Sequence, residues 1–196
     1  GNVNAQVTLG VIYFNGKGVP KDYKEAASWF LLAAAQGHAT GQYNLGLAYE
    51  GGLGVTQSDA EAYKWFLIAA MQGDEDGAYM LAQSYYNGKG VKQNYAEALR
   101  WFRQSAAHGT PEAQHNVGVM YREGQGVPQN YAEALRWFQL AAKQGYAESQ
   151  YNVGAMYATG QGVTRELIEA QRWFRMAADQ GSAHGQHATG TFFYYI

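Results

Sequence analysis

The chain has 196 residues, 47% of them hydrophobic and only 15% charged, against ~25% charged in an average globular protein. This is a chain that buries a core rather than a disordered one. With 14 Lys and Arg against 16 Asp and Glu and no basic block, it is not a dedicated nucleic-acid binder. Cysteine is absent, which excludes a disulfide framework, a zinc–thiolate site and a cysteine nucleophile. The longest nearly unbroken apolar run, Ala26 to Ala35, falls well short of the ~20 residues that a membrane helix needs. The chain opens on Gly1 without a charged-then-apolar signal segment, which fits a removed leader or a piece of a longer protein.

Periodicity organises everything else. Trp-Phe stands at 29–30, 65–66, 101–102, 137–138 and 173–174, always 36 residues apart. On that period, 21 of the 25 glycines fall into four columns. A fixed period in the 20–50 range marks a repeat array. The units run about 2–37, 38–73, 74–109, 110–145 and 146–181, with a partial sixth at 182–196, all in one solenoid domain.

In chain order, each unit predicts two helices. The first opens at Asn2, His38, Asp74, Thr110, Tyr146 and Ser182, mostly capping residues, and Pro111 takes the first helical position. A GxGV loop follows, starting at Gly16, Gly52, Gly88, Gly124 and Gly160. The second helix opens at Asp22, Ser58, Asn94, Asn130 and Glu166. Three residues later stand Glu25, Glu61, Glu97, Glu133 and Glu169, in the place of a capping box's return half. Ala62, Trp65, Phe66, Ala69 and Ala70 show the apolar spacing of that helix, and Gly73 ends it. Strict apolar alternation is missing, so strands are disfavoured.

The string AxxxLGxxYxxGxGVxxxYxxAxxWFxxAAxxG, read from Ala113 to Gly145 with Val117 at its Leu position, resembles the Sel-1-like repeat. This is a relative of the tetratricopeptide repeat. The resemblance covers essentially the whole chain. It implies an all-α, right-handed α-solenoid of stacked antiparallel helix pairs. It further implies an adaptor or scaffold for other proteins, in bacterial envelope, secreted or signalling settings. A periplasmic or secreted location is placed ahead of a cytoplasmic one. Repeat two departs from the pattern: Asp59 replaces the Tyr of 23, 95 and 131, and Tyr63 appears one turn later.

No chemistry stands out against this scaffold. The GxGV loops lack the Lys-Ser/Thr of a P-loop and do not follow strands, so they read as turns that need positive φ. Glu61-Lys64, Glu97-Arg100, Glu133-Arg136 and Glu169-Arg172 are surface i, i+3 pairs. His184 and His187 share a helix face, and His115 stands in the His187 column, but zinc wants three or four ligands. None of the six serines has Lys three residues on, as a Ser-x-x-Lys nucleophile would. Neither a catalytic site, a cofactor nor a metal is expected.

Recognition is left to the columns that vary. By analogy with tetratricopeptide arrays, the first helices line a concave groove. One column holds Val7, Tyr43, Tyr79, His115, Tyr151 and His187; a second holds Phe14, Glu50, Tyr86, Arg122 and Ala158. Tyr, His and Arg suit protein contacts. The expected partner-binding residues are Phe14, Tyr43, Glu50, Tyr79, Tyr86, His115, Arg122 and Tyr151. The Tyr column has an equal alternative, packing between neighbouring helices. The function expected is a non-catalytic module that binds a protein or peptide, not nucleic acid. The alternative is a structural module that builds a homo-oligomer through its terminal repeats, where Phe192 to Ile196 form an uncovered aromatic edge.

Overall fold

A computed structural model of the chain describes residues 2–192. Its elements in chain order are α1 (Val3–Asn15), α2 (Tyr23–Ala35), α3 (Ala39–Gly51), α4 (Asp59–Met71), α5 (Glu75–Asn87), α6 (Tyr95–Ala107), α7 (Pro111–Glu123), α8 (Tyr131–Lys143), α9 (Ala147–Thr159), α10 (Leu167–Asp179) and α11 (Ala183–Phe192). The fold is an all-α solenoid of antiparallel helix pairs, without strands among the described residues. None of these helices is long and apolar enough to cross a membrane. The chain divides into two compact units, residues 1–101 and 102–196, with the division inside α6. In the first unit α1 to α5 pack each on the next; in the second α7 to α11 do the same.

Phenylalanine and glycine set the spacing within each pair. Phe30, Phe66, Phe102 and Phe138 are among the largest fully buried side chains. Phe138 lies where a Cβ on Gly118 would come within 2.7 Å of its ring, and Phe174 meets Gly154 in the same way. Phe30 faces Gly10 and Phe66 faces Gly46 just as closely. In these four pairs the first helix is glycine where the second inserts its ring, because a Cβ there would meet it, while the third pair has Ala82 in that column. The Trp-Phe dipeptide splits its roles. Phe is core throughout, while Trp29, Trp65, Trp137 and Trp173 are half-buried and Trp101 alone is buried.

The second helices are capped as their sequence predicts, but the glutamates act differently. Asp22 accepts from the amides of Lys24 and Glu25, Ser58 from Glu61, Asn94 from Ala96 and Glu97, and Asn130 from Glu133. Glu166 makes no such bond. A capping box would need each Glu to reach back to the cap's own N–H. That N–H is already taken: Asp22, Ser58, Asn94, Asn130 and Glu166 donate it to the carbonyls of Tyr13, Tyr49, Tyr85, Tyr121 and Tyr157. The bond pins the start of each second helix to the first. Glu61, Glu97, Glu133 and Glu169 turn outward instead and pair with Lys64, Arg100, Arg136 and Arg172.

The loops join repeats as well as helices. Gly54 has φ +80°, and a Cβ there would overlap the carbonyl of Tyr23, at the start of the preceding repeat's second helix. Two demands therefore fall on one residue, a left-handed conformation and backbone contact with a neighbouring repeat. Gln57, Gln93 and Gln129 then tie each loop back by donating to the carbonyls of Glu50, Tyr86 and Arg122.

Candidate functional site

The first-helix face is built by α1, α3 and α5 in the first unit and by α7, α9 and α11 in the second. The expected partner-binding residues all lie on it, and all are half-buried. In the Tyr column, the rings of Tyr43 and Tyr151 lie across core phenylalanines. The ring centroids of Tyr43 and Phe66 are 6.3 Å apart, and those of Tyr151 and Phe174 are 5.6 Å apart. Tyr151 also meets His184 of the following repeat at 5.3 Å. Burial, reinforced by the carboxylates of Asp76, Asp74 and Glu50, pushes the Tyr43 phenol up to about 12.

His115 takes the Tyr place in the fourth repeat. Its ring stands 5.4 Å from Phe138 and 5.2 Å from Tyr146, and its Nδ1 is 2.8 Å from Ser149 Oγ. Burial drives its pKa down to about 4; Arg122 adds to that and Glu148 opposes it. Ser149 is completely buried, so no substrate reaches its hydroxyl. The pair joins α7 to α9 as a polar contact rather than as nucleophile and base. Among the described residues, no three His, Asp or Glu side chains are grouped to hold a metal ion.

The second column is more varied in its partners. Phe14 packs edge-on against Tyr23 at 5.2 Å, and Tyr86 against Tyr95 at 5.3 Å. Repeat two has Asp59 in place of that tyrosine, and its column residue is Glu50, with Lys89 Nζ at 3.7 Å. The displaced ring reappears as Tyr63, whose hydroxyl pairs with that of Tyr85 at 2.8 Å. Arg122 lies over the Phe138 ring at 5.6 Å, donates to Asn152 Oδ1 at 2.7 Å and pairs with Glu123 at 2.8 Å.

Two features escape the motif reading. One is a glutamine relay. Gln42, Gln114 and Gln150 are buried and donate to the carbonyls of Ala34, Ala106 and Ala142 in the preceding repeat. They accept in turn from Gln72, Gln144 and Gln180 at 2.5 to 2.8 Å. The signal was present in the sequence. In the third unit both columns change together, to Ala78 and His108. The other feature is an apolar column on the second helices, where Leu32, Ile68, Leu140 and Met176 are exposed and Gln104 takes the third place.

The Sel1 repeat matches residues 3–38, 39–74, 75–110, 111–146 and 147–182. This chain belongs to the Sel1 repeat family. A protective antigen of uropathogenic Escherichia coli, c5321, is 35% identical over 96% of this chain and superposes with a TM-score of 0.93. The present chain spans 40% of that protein's length. A Sel1 repeat protein from Oxalobacter formigenes is also 35% identical, over 92% of this chain and 74% of its own, with a TM-score of 0.87. A third, from Klebsiella pneumoniae, is 21% identical over 98% of this chain and 93% of its own, with a TM-score of 0.62, and shares the fold alone. No curated protein matches the chain. Sel1 repeats are generally protein-interaction modules built on a non-catalytic scaffold.

Proposed function

We propose that this Sel1 repeat chain is a non-catalytic adaptor whose first-helix face binds a protein or peptide. The observation that supports it most is the state of that face. Its Tyr and His rings are anchored on buried phenylalanines yet remain half-exposed. Such side chains offer large contact area with little rotamer entropy left to lose. Around them the second column changes from aromatic to carboxylate to guanidinium while the scaffold beneath stays constant. The recurring polar residues have structural roles: caps, relays and ion pairs.

The test is affinity for a partner recovered on the immobilised protein. Arg122→Ala and Tyr79→Ala should each weaken it by about 2 kcal/mol, as hot-spot truncations do. Substitutions in the apolar column of the second helices, such as Leu140→Ser, should leave it unchanged. The opposite ranking would place the binding surface on the second helices. Self-association through the terminal repeats is the second reading, favoured by Ile168 and Met176, which α10 leaves 76% and 44% exposed. Of the expected aromatic edge, Phe192 to Ile196, residues 193–196 lie outside the described residues. Light scattering across a concentration series tests it: a constant monomer mass would remove this reading.

A further inference from the structure

Charge is sorted by helix class in the first unit. α1, α3 and α5 carry Glu50, Glu75 and Asp76 and not one Lys or Arg. The cations of this unit stand in loops or on second helices, as Lys24, Lys64 and Lys89 do. Half-buried tyrosines share the face with these carboxylates.

The second unit shows how this face holds a cation. There Arg122 lies over an aromatic ring and donates to Asn152 Oδ1, while the Asn152 amide N–H is held by the Glu148 carbonyl at 3.0 Å. The first unit repeats the receiving half. Asn44 stands in the Asn152 column and donates its amide N–H to the Thr40 carbonyl at 2.8 Å. Where the second unit supplies a guanidinium from Arg122, the first has Phe14. Among the described residues, no donor reaches Asn44 Oδ1. Lys89 approaches this face at 3.7 Å from Glu50 and is itself largely exposed.

We infer that the face formed by Tyr43, Asn44, Glu50, Asp76 and Tyr79 binds Arg or Lys side chains of a basic peptide segment in the partner. This rests on the interaction reading above and specifies its chemistry. The amide oxygen and carboxylates accept charge-assisted hydrogen bonds, and the rings offer cation–π contact. Because the charges are partly exposed, binding weakens as salt rises.

The probe is a short fluorescent peptide of alternating Arg and Ala, with a Glu-Ala peptide as its opposite, followed by anisotropy at low and physiological ionic strength. The Arg peptide binds the intact protein and the Glu peptide does not. Glu50→Gln and Asp76→Asn should each weaken binding about fivefold. Lys89→Gln should tighten it about threefold by removing a competing cation, whereas Lys24→Gln, the same charge change on α2, should leave it unaltered. Circular dichroism confirms that each variant is folded. Absence of Arg-peptide binding, or equal effects of Lys24→Gln and Lys89→Gln, overturns the inference. So does a recovered partner whose affinity falls with Tyr79→Ala but ignores Glu50→Gln and Asp76→Asn, and that result leaves the interaction reading standing. Loss of Arg-peptide binding on Glu50→Gln and Asp76→Asn, with Lys89→Gln tightening it, supports the inference.

Discussion

His115 has a single side chain's worth of pH dependence built into the second unit. Its pKa falls from 6.5 to about 4 in the folded chain, chiefly through burial. The folded state thus prefers the neutral ring, and the unfolded state binds the proton more readily. The stabilisation is complete above about pH 6.5 and is lost as pH falls from there towards 4. One pKa unit is worth about 1.4 kcal/mol, so the loss reaches up to about 3 kcal/mol. Urea unfolding at pH 7 and pH 4 should show this loss in the parent and a smaller one in His115→Gln. Equal losses would mean that the ring is solvated. Phe138, fully buried under the same histidine, should cost about 3–5 kcal/mol as Phe138→Ala. Denaturant midpoints check it, and a cost below about 1 kcal/mol would contradict the core assignment.

At the scale of the helix, caps and ion pairs separate cleanly. Asn94→Ala removes two bonds to backbone amides and should cost about 0.5–2 kcal/mol. Glu97→Ala removes only an exposed pair with Arg100 and should cost no more than about 0.5 kcal/mol. Had Glu97 closed a capping box, the two costs would converge, so thermal unfolding of both variants distinguishes the arrangements. The one uncapped second helix offers the converse. Glu166 has no side-chain bond to the helix start, and Glu166→Asn should stabilise the protein by about 1 kcal/mol. An unchanged midpoint would show that the Tyr157 carbonyl already holds that end as firmly as a cap can. The loops behave likewise. Gly18 has positive φ and open space around it, whereas Gly54 also abuts the Tyr23 carbonyl. Gly18→Ala should cost about 1–2 kcal/mol for the left-handed backbone alone, and Gly54→Ala clearly more. Equal costs would mean that adjoining repeats yield at that contact.

For the molecule as a whole, stability is nearest-neighbour in kind, as expected of a repeat array. Within each unit helices pack on their sequence neighbours, and the contacts that cross repeats include the glutamine relay, the loop-to-helix approach at Gly54, and the His115–Ser149 pair. Gln150→Ala should therefore do two things at once. It frees the Ala142 carbonyl and strands Gln180, at a cost of about 1–3 kcal/mol. Hydrogen exchange should show that loss at the junction of the fourth and fifth repeats, leaving α1 to α4 as protected as before. Uniform loss of protection would indicate that the chain unfolds as one cooperative body.

The period, the helix pairs and the second-helix caps were legible in the residues because each depends on local chemistry repeated in register. A 36-residue spacing of Trp-Phe needs no contact map to declare an array, and Asp, Ser or Asn at a helix start carries its own meaning. The glutamates show where such reading ends. Their spacing matches a capping box, but the cap N–H has a closer acceptor in a tyrosine carbonyl of the preceding helix, which only the folded pair brings near. The tyrosine column is similar: apolar spacing cannot separate core from surface when one ring touches both. The glutamine relay links residues 30 positions apart, and its trace in the sequence, the joint loss at Ala78 and His108, acquires a cause once the pairs are seen. Local propensity and period thus determined the elements and their order. Which polar atoms meet, which ring faces water and where charge gathers were decided by tertiary packing, because those depend on the distance between helices.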